Sequence, residues 1–164
     1  MKLSAVVIDD VFSDKDLIFI QSNIDKQSSR SIWFDLTQEH TWKSLSHKLM
    51  KLANNYYDLN NVIGYEFWSQ YNTRPAGGWH YDRDEILYYE KHIFKFPVCS
   101  IVYYPILYDL IGGQIQLEKD VIVPKINRAI IFKPGMFHYV HEFEGTRCSL
   151  IINPWTSNLG TVSE

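Results

Sequence analysis

The sequence predicts an α+β fold: a double-stranded β-helix, the jelly-roll arrangement, with two N-terminal helices packed on one sheet. Helical periodicity is confined to the first part of the chain, whereas short β-rich runs follow one another from residue 62 onward. Glycine, proline and asparagine residues separate these runs. Aromatic residues make up 15% of the 164 residues, a composition that favours strands over a helical bundle.

The N-terminal part of the chain supplies the first strand and both predicted helices. Ser4–Asp9 is predicted as a strand, and Ser13 followed by Asp16 resembles a helix-capping pair. The next helix has a rough apolar stripe, formed by Leu17, Ile18, Ile20 and Ile24. A second helix is predicted over about Thr41 to Tyr57, with an apolar face formed by Leu45, Leu49, Leu52 and Tyr56.

The later β-rich runs predict strands that are bounded by turn residues. They are Gly64–Tyr71, Gly78–Asp82, Pro97–Tyr104, Gly113–Leu117, Arg128–Phe132, Phe137–Glu142 and Thr146–Asn153. Because no low-complexity linker or internal repeat divides the chain, we expect a single domain over residues 1–164. Its helical support would cover about residues 1–60 and its jelly-roll core about residues 62–155.

Charge and composition argue against several classes of partner. The formal net charge is -3 and the sequence pI is about 6.1, so no basic excess implies a nucleic-acid partner. No apolar stretch approaches the roughly 20 residues of a membrane helix, and no signal-peptide pattern is present at the N-terminus. Cys99 and Cys148 lie far apart, and we expect them to be free thiols. These features predict a soluble, cytoplasmic protein without a membrane partner.

The tripeptide His80-Tyr81-Asp82 is a candidate metal motif. Residues two apart on a strand share one face, so His80 and Asp82 would project together while Tyr81 points the other way. One imidazole and one carboxylate are part of a 2-His-1-carboxylate triad, which leaves open positions on iron for a cosubstrate and oxygen. His-x-Asp also occurs by chance, and a hydrogen-bonded pair in a surface turn is the alternative.

His138 and His141 are the candidates for the third ligand, and they face opposite sides of a strand. Arg147 follows His138 at a spacing that would allow a turn near Glu144-Gly145 and an adjacent returning strand. On that strand Arg147 and Ser149 would share the face that points into the barrel.

A buried arginine at this position would need an anionic partner. Its planar guanidinium matches a carboxylate that is bound through both oxygens, so a ligand carboxylate is expected if no acidic side chain faces it. A salt bridge from Arg147 to Glu142 or Glu144 is the structural alternative.

Taken together, these motifs resemble the prolyl-4-hydroxylase-like 2-oxoglutarate/iron(II) oxygenases. They follow the family's order over roughly residues 64–155: His80-x-Asp82, Gly112-Gly113-Gln114-Ile115, Arg128-Ala129-Ile130-Ile131-Phe132, His138-x-Val140, Gly145-Thr146-Arg147-Cys148-Ser149-Leu150 and Trp155. The segment Val7–Ser13 and the helix after it also resemble the start of family members. The combination is more specific than any one motif.

The resemblance implies a role for each matching residue. His80, Asp82 and His138 match the iron ligands, and the family's His-to-Arg spacing favours His138 over His141. Arg147 matches the basic residue that pairs with the distal carboxylate of 2-oxoglutarate.

Three further residues are candidates for contacts to the cosubstrate through the same resemblance. Tyr71 resembles a tyrosine that contacts 2-oxoglutarate, and Tyr104 resembles one that hydrogen-bonds its distal carboxylate. Tyr103 is the alternative to Tyr104, and core packing is the alternative for each tyrosine. Ser149 completes an Arg-x-Ser pattern.

Some features depart from the family pattern or remain open. Gln114 stands where relatives have an acidic or hydrophobic residue, and Pro105 interrupts the strand after Tyr104. Asp82 is retained, which argues against the halogenase branch. Residues 83–96 mix charges and aromatic side chains and form a candidate substrate loop, with a packed surface loop or short helix as the alternative.

The resemblance implies hydroxylation of an unactivated C–H bond with Fe(II), 2-oxoglutarate as cosubstrate and O2. A prolyl or other residue of a protein or peptide is the favoured substrate, and a free amino acid or small metabolite is the alternative. A cupin-like metal-binding module without oxygenase activity is the hypothesis from another class.

Overall fold

The computed structural model describes residues 4–27, 30–72 and 78–162. In chain order these residues form β1 (Ala5–Ile8), α1 (Asp14–Asn23), β2 (Ile32–Asp35), α2 (Lys43–Ala53), β3 (Gly64–Asn72), α3 (Glu85–Lys91), β4 (Ser100–Gly112), β5 (Ile115–Leu117), β6 (Asp120–Ile122), β7 (Arg128–Phe132), β8 (His138–Val140) and β9 (Phe143–Trp155). None of the helices in these ranges is long and apolar enough to span a membrane.

The strands form two antiparallel sheets of different size. The larger sheet has the order β1-β7-β4-β9-β3-β2, and the smaller one has the order β6-β5-β8. A single bridge between His80 and His138 adds the segment after residue 78 to the edge of the smaller sheet. The predicted α+β class is therefore confirmed, with mostly antiparallel sheet and three helices among the described residues.

The N-terminal helices pack on one face of the larger sheet. Ser13 caps α1 through a hydrogen bond from the Asp16 amide to its hydroxyl, as the capping pair predicts. Ile20 of α1 and Leu45 and Leu49 of α2 are buried together with side chains of the central strands. This core covers the helix-side face of the larger sheet. The opposite face of the sheet carries a separate hydrophobic cluster.

That second cluster lies between the two sheets. Val102 and Ile130 of the larger sheet share it with Ile115 and Leu117 of β5. Alternate residues of β4 and β7 therefore point to different cores, as the strand period requires. The face between the sheets is the one that carries the candidate site.

Several predicted elements have different bounds in the structure. The second helix is shorter than predicted, and Tyr56 lies beyond it with 53% of its surface exposed. The predicted strand Gly78–Asp82 is reduced to the bridge at His80. β4 continues through Pro105 because the register shifts between Tyr103 and Ile106, a bulge that accommodates the missing amide hydrogen. β2 and β6 were not predicted, whereas α3 corresponds to the short helix that was the alternative for residues 83–96.

The predicted hairpin from His138 to Arg147 is wrong. β9 runs without a break from Phe143 through the expected turn at Glu144-Gly145, and it pairs with β4 and β3 in the larger sheet. His138 lies on β8 in the smaller sheet. The two residues therefore approach the site from opposite sheets rather than from neighbouring strands.

Candidate metal centre and cosubstrate pocket

His80, Asp82 and His138 meet at the space between the sheets. Their ligand atoms all lie within 4.8 Å of one another. The Oδ1 atom of Asp82 is 3.9 Å from Nε2 of His80 and 3.7 Å from Nε2 of His138. Two imidazole nitrogens and one carboxylate oxygen thus converge on one point, which is the donor set that suits iron(II).

Main-chain carbonyls fix the orientation of both imidazoles. Nδ1 of His80 lies 2.9 Å from the carbonyl oxygen of Gly78, and Nδ1 of His138 lies 2.8 Å from that of Met136. A carbonyl only accepts, so Nδ1 carries the hydrogen in each ring and Nε2 presents a lone pair to the centre. Burial lowers the pKa of His138, which further favours the neutral, metal-binding form.

Asp82 is held by a residue that the motifs did not indicate. The hydroxyl of Ser100, at the start of β4, donates to Oδ2 of Asp82 at 2.7 Å. Oδ1 is left to face the histidines. Ser100 stands in a plain β-rich run, so no local sequence signal could have identified it; its role follows from the pairing of strands.

Arg147 is buried on β9, with only 3% of its surface exposed. Its Nε donates to the carbonyl of Gly113 at 3.0 Å, and its Nη2 donates to the phenol oxygen of Tyr104 at 3.1 Å. A longer contact of 3.4 Å joins Nη1 to Ser149. No Asp or Glu of the described residues forms an ion pair with it, and Glu142 and Glu144 are exposed.

Tyr104 lies against the guanidinium of Arg147, whose Cζ is 5.0 Å from the centre of its ring. Complete burial raises the pKa of the phenol, so Tyr104 stays protonated and can donate a hydrogen bond. Tyr103 points to the helix-side core instead, where its hydroxyl donates to the Asn127 side chain. Strand parity therefore selects Tyr104 over Tyr103 as the residue beside Arg147.

One cavity, with about 490 Å³ of empty space that is partly open to solvent, is lined by the three candidate metal ligands together with Arg147 and Ser149, whereas Ser100 and Tyr104 lie behind this lining. The lining residues are Trp68, Gln70, His80, Asp82, Val102, Ile115, His138, Val140, Arg147, Ser149 and Ile151. The cavity thus joins the candidate metal ligands to the candidate carboxylate site.

Comparisons with known proteins agree with this geometry. No family model and no curated protein matches the sequence. Among solved structures, a Pseudomonas putida prolyl-4-hydroxylase superposes with a TM-score of 0.64 at 15% identity, covering 94% of this chain and 89% of that one. The chain has the fold of the prolyl 4-hydroxylases.

Two further structures place the chain in the same fold group. An oxidoreductase of the 2OG-Fe(II) oxygenase family from Burkholderia pseudomallei has a TM-score of 0.64 at 13% identity, over 97% of this chain and 89% of that one. A Trichoplax adhaerens prolyl hydroxylase, in complex with a hypoxia inducible factor peptide fragment, has a TM-score of 0.58 at 14% identity, over 98% and 87%. The predicted resemblance is therefore confirmed at the level of fold.

In this prolyl 4-hydroxylase fold, one predicted cosubstrate residue, Tyr71, lies outside the lining of the cavity. Tyr71 lies on the opposite face of β3 from the cavity, where Lys26 Nζ is 5.1 Å from the centre of its ring. Its cross-strand partner is Cys148, a helix-side core residue, whereas Gln70 pairs with Ser149 and faces the cavity. The strand period excludes Tyr71 from the site and brings in Trp68 and Gln70, which the motifs did not indicate.

Other predicted residues lie outside the cavity. His141 contacts the side chains of Gln116 and Tyr139, at 3.2 and 3.3 Å, rather than Asp82. None of the residues 83–96 lines the cavity, and α3 within this segment is tied by its cap, Asp84, to Gly160 near the C-terminus. Cys99 and Cys148 are free, as predicted; both are also buried, and burial raises the pKa of each thiol to about 12.

Proposed function

We propose that the protein is a 2-oxoglutarate-dependent Fe(II) oxygenase that hydroxylates an unactivated C–H bond. His80, Asp82 and His138 would hold the metal, since their donor set and neutral Nε2 atoms suit iron(II). With 2-oxoglutarate and O2, a bound iron would supply the oxidising chemistry: as the cosubstrate loses CO2, one oxygen atom of O2 would end in succinate and the other in the hydroxyl group of the product. The protein's own residues position the reactants and exclude competing reactions.

The buried guanidinium of Arg147 is the observation that carries this proposal. An uncompensated charge inside a protein is costly, and a bidentate carboxylate is the ligand that best matches its fork. Arg147 lines the same cavity as the metal ligands, and Tyr104 offers its hydroxyl beside it. These two residues would bind the distal carboxylate of 2-oxoglutarate, with Ser149 near the same group.

The cavity lining favours an internal residue of a peptide over a free amino acid as substrate. In the described part of the lining, the acidic and basic side chains besides the two histidines are those of Asp82 and Arg147. Both are used once the metal and the cosubstrate are bound, so the ammonium and carboxylate of a free amino acid would lack partners. A prolyl residue, which is apolar and uncharged within a chain, fits beside Trp68 and Gln70.

A hydroxylase of a small neutral metabolite is the second enzymatic candidate, because the same lining accepts uncharged molecules. A metal-binding module without oxygenase activity is disfavoured, since a metal store has no need for a buried carboxylate site at Arg147. We further propose that the two sheets form a double-stranded β-helix, with α1 and α2 supporting the larger sheet in a single domain.

The proposal is tested by anaerobic titration of the protein with iron(II) and 2-oxoglutarate. A weak metal-to-ligand charge-transfer band in the visible region is expected. Arg147→Met should weaken the binding of 2-oxoglutarate at least about 10-fold. Iron affinity should stay within a few-fold of wild type, because iron and the distal carboxylate of 2-oxoglutarate would bind different residues. A folded wild-type protein that binds iron without developing the band would refute the cosubstrate assignment.

A pair of histidine substitutions tests the ligand set. His138→Ala should abolish the band, because it removes a nitrogen that faces Asp82. His141→Ala is the matched control and should retain it, since its ring contacts Gln116 and Tyr139. The reverse result would move the third ligand to His141.

A further inference from the structure

We propose that Ser100 is a positioning residue that keeps Asp82 a one-oxygen metal ligand. Its hydroxyl donates to Oδ2 of Asp82 at 2.7 Å, and the other oxygen, Oδ1, faces both histidines. The inference rests on the proposed function, because it concerns how many positions the metal keeps for the cosubstrate and O2.

The number of open positions gives this hydrogen bond its importance. A 2-His-1-carboxylate triad leaves one face of the iron open. A chelating 2-oxoglutarate would take two positions of that face and would leave one for O2. A carboxylate that bound through both oxygens would take this position. Ser100 opposes that change, since its donated hydrogen bond occupies a lone pair of Oδ2.

The surroundings make Ser100 a rigid donor. It is 2% exposed, and its backbone is paired with Phe132 in the register of β4 and β7. Asp82, in contrast, lies in a segment without regular pairing, two residues beyond the bridge at His80. The fixed strand therefore restrains the freer carboxylate, in the manner of outer-shell groups that orient metal ligands.

The test compares Ser100→Ala with wild type and with Ser46→Ala, a buried serine of α2 that does not line the cavity. Each protein is loaded anaerobically with iron(II) and 2-oxoglutarate, and nitric oxide is added as a probe of the open position. The electron paramagnetic resonance signal of the nitrosyl complex reports its binding. Iron affinity and the charge-transfer band are measured on the same samples.

Ser100→Ala is expected to bind iron within a few-fold of wild type and to keep the band, but to bind nitric oxide at least about 10-fold more weakly. Ser46→Ala should match wild type in all three measurements. Nitric oxide binding at the wild-type level in Ser100→Ala would overturn the inference. A loss of iron itself would also overturn it, because Ser100 would then only place Asp82 in the ligand set.

A second variant covers the case in which Ser100→Ala does not fold. Ser100→Cys nearly keeps the volume of the side chain but offers a weak donor, so nitric oxide binding should fall in the same direction. Unchanged nitric oxide binding in a folded Ser100→Cys protein would count against the inference. Failure of wild type to develop the band is a separate result, which refutes the proposed function instead.

Discussion

Tyr104 and Arg147 form one hydrogen-bonded unit, in which the guanidinium donates to the phenol oxygen at 3.1 Å. No acceptor for the phenol hydrogen is found among the described residues, and we expect it to bond a carboxylate that binds Arg147. Tyr104→Phe should therefore weaken the binding of 2-oxoglutarate by about 10-fold, or about 1.4 kcal/mol, close to the lower end for a hydrogen bond to a charged group. Anaerobic titration of the charge-transfer band measures the change.

Tyr71→Phe is the matched control for that experiment. Its ring lies on the helix side of β3, so cosubstrate affinity should stay within about 2-fold of wild type. A large effect in Tyr71→Phe with none in Tyr104→Phe would support the contact that the resemblance implied and contradict the observed parity of β3.

Single residues also show what local patterns can and cannot identify. His80-x-Asp82 was predictable because both candidate ligands lie within one tripeptide. The prediction did not depend on a full strand, since the segment forms only an isolated bridge at His80. Tyr71 lies on the helix side of β3, which the sequence could not reveal, because alternation along a strand gives the spacing of faces but not which face meets the site. Ser100 and Trp68 were missed since their roles arise from strands distant in sequence.

At the scale of elements, the turn between β4 and β5 places the main-chain acceptor of Arg147. Gly113 has a φ of +73°, and a Cβ there would lie 3.1 Å from Cδ of Arg147. Gly113→Ala should cost about 1–2 kcal/mol of stability, because an L side chain is strained in the left-handed region. The same substitution should also weaken the binding of 2-oxoglutarate, because the added Cβ would displace the side chain of Arg147.

Gly78→Ala is a control outside this turn, since a Cβ at Gly78 meets no atom of the described residues within 4 Å, its φ is not positive, and its main-chain carbonyl beside His80 is kept. Chemical denaturation and anaerobic titration should show wild-type behaviour for Gly78→Ala and a double defect for Gly113→Ala. Equal cosubstrate affinity in the two variants would show that Arg147 does not depend on the close approach of Gly113.

The pairing of β3 with β9 partly buries the carboxyl group of Glu66. Burial raises its pKa, although Trp155 and Ser31 donate hydrogen bonds to it at 2.9 and 3.0 Å. A raised pKa means that the stability this group contributes is complete at low pH and is lost as pH rises through the folded pKa. Ionised Glu66 therefore destabilises the native state near neutrality.

Glu66→Gln should remove this pH dependence, because the neutral amide can accept from Trp155 and donate to Ser31. The variant is expected to match wild type near pH 4 and to exceed it by on the order of 1 kcal/mol near pH 8. Urea unfolding at a series of pH values provides the measurement. A variant that is less stable than wild type near pH 8 would show that the ionised carboxylate is favourable there.

For the whole molecule, the order of strands could not be derived from the sequence. The motifs predicted an α+β protein and the start of the first helix, because periodicity and caps are local. They did not predict that β8 and β9 belong to different sheets, since a short connection is compatible with either a hairpin or a crossing between sheets. The distances within the site depend on that crossing.

This division between sheets predicts how ligands should stabilise the protein. His138 lies on the smaller sheet, whereas Arg147 lies on the larger one. A metal should join the His80–Asp82 segment to β8, and 2-oxoglutarate should then link that centre to β9 through Arg147. Each bound ligand stabilises the native state by mass action, about 2.7 kcal/mol at a concentration 100 times its Kd.

Thermal unfolding with a redox-inert metal such as Zn(II) separates the two contributions. Zn(II) alone should raise Tm, whereas 2-oxoglutarate should add to it only when the metal is present, because chelation supplies part of its binding. Arg147→Met should keep the first increase and lose most of the second. Two results would contradict a cosubstrate that bridges the sheets through these two sites. One is a wild-type increase in Tm from 2-oxoglutarate in Arg147→Met, and the other is an equal increase in Tm from 2-oxoglutarate without metal.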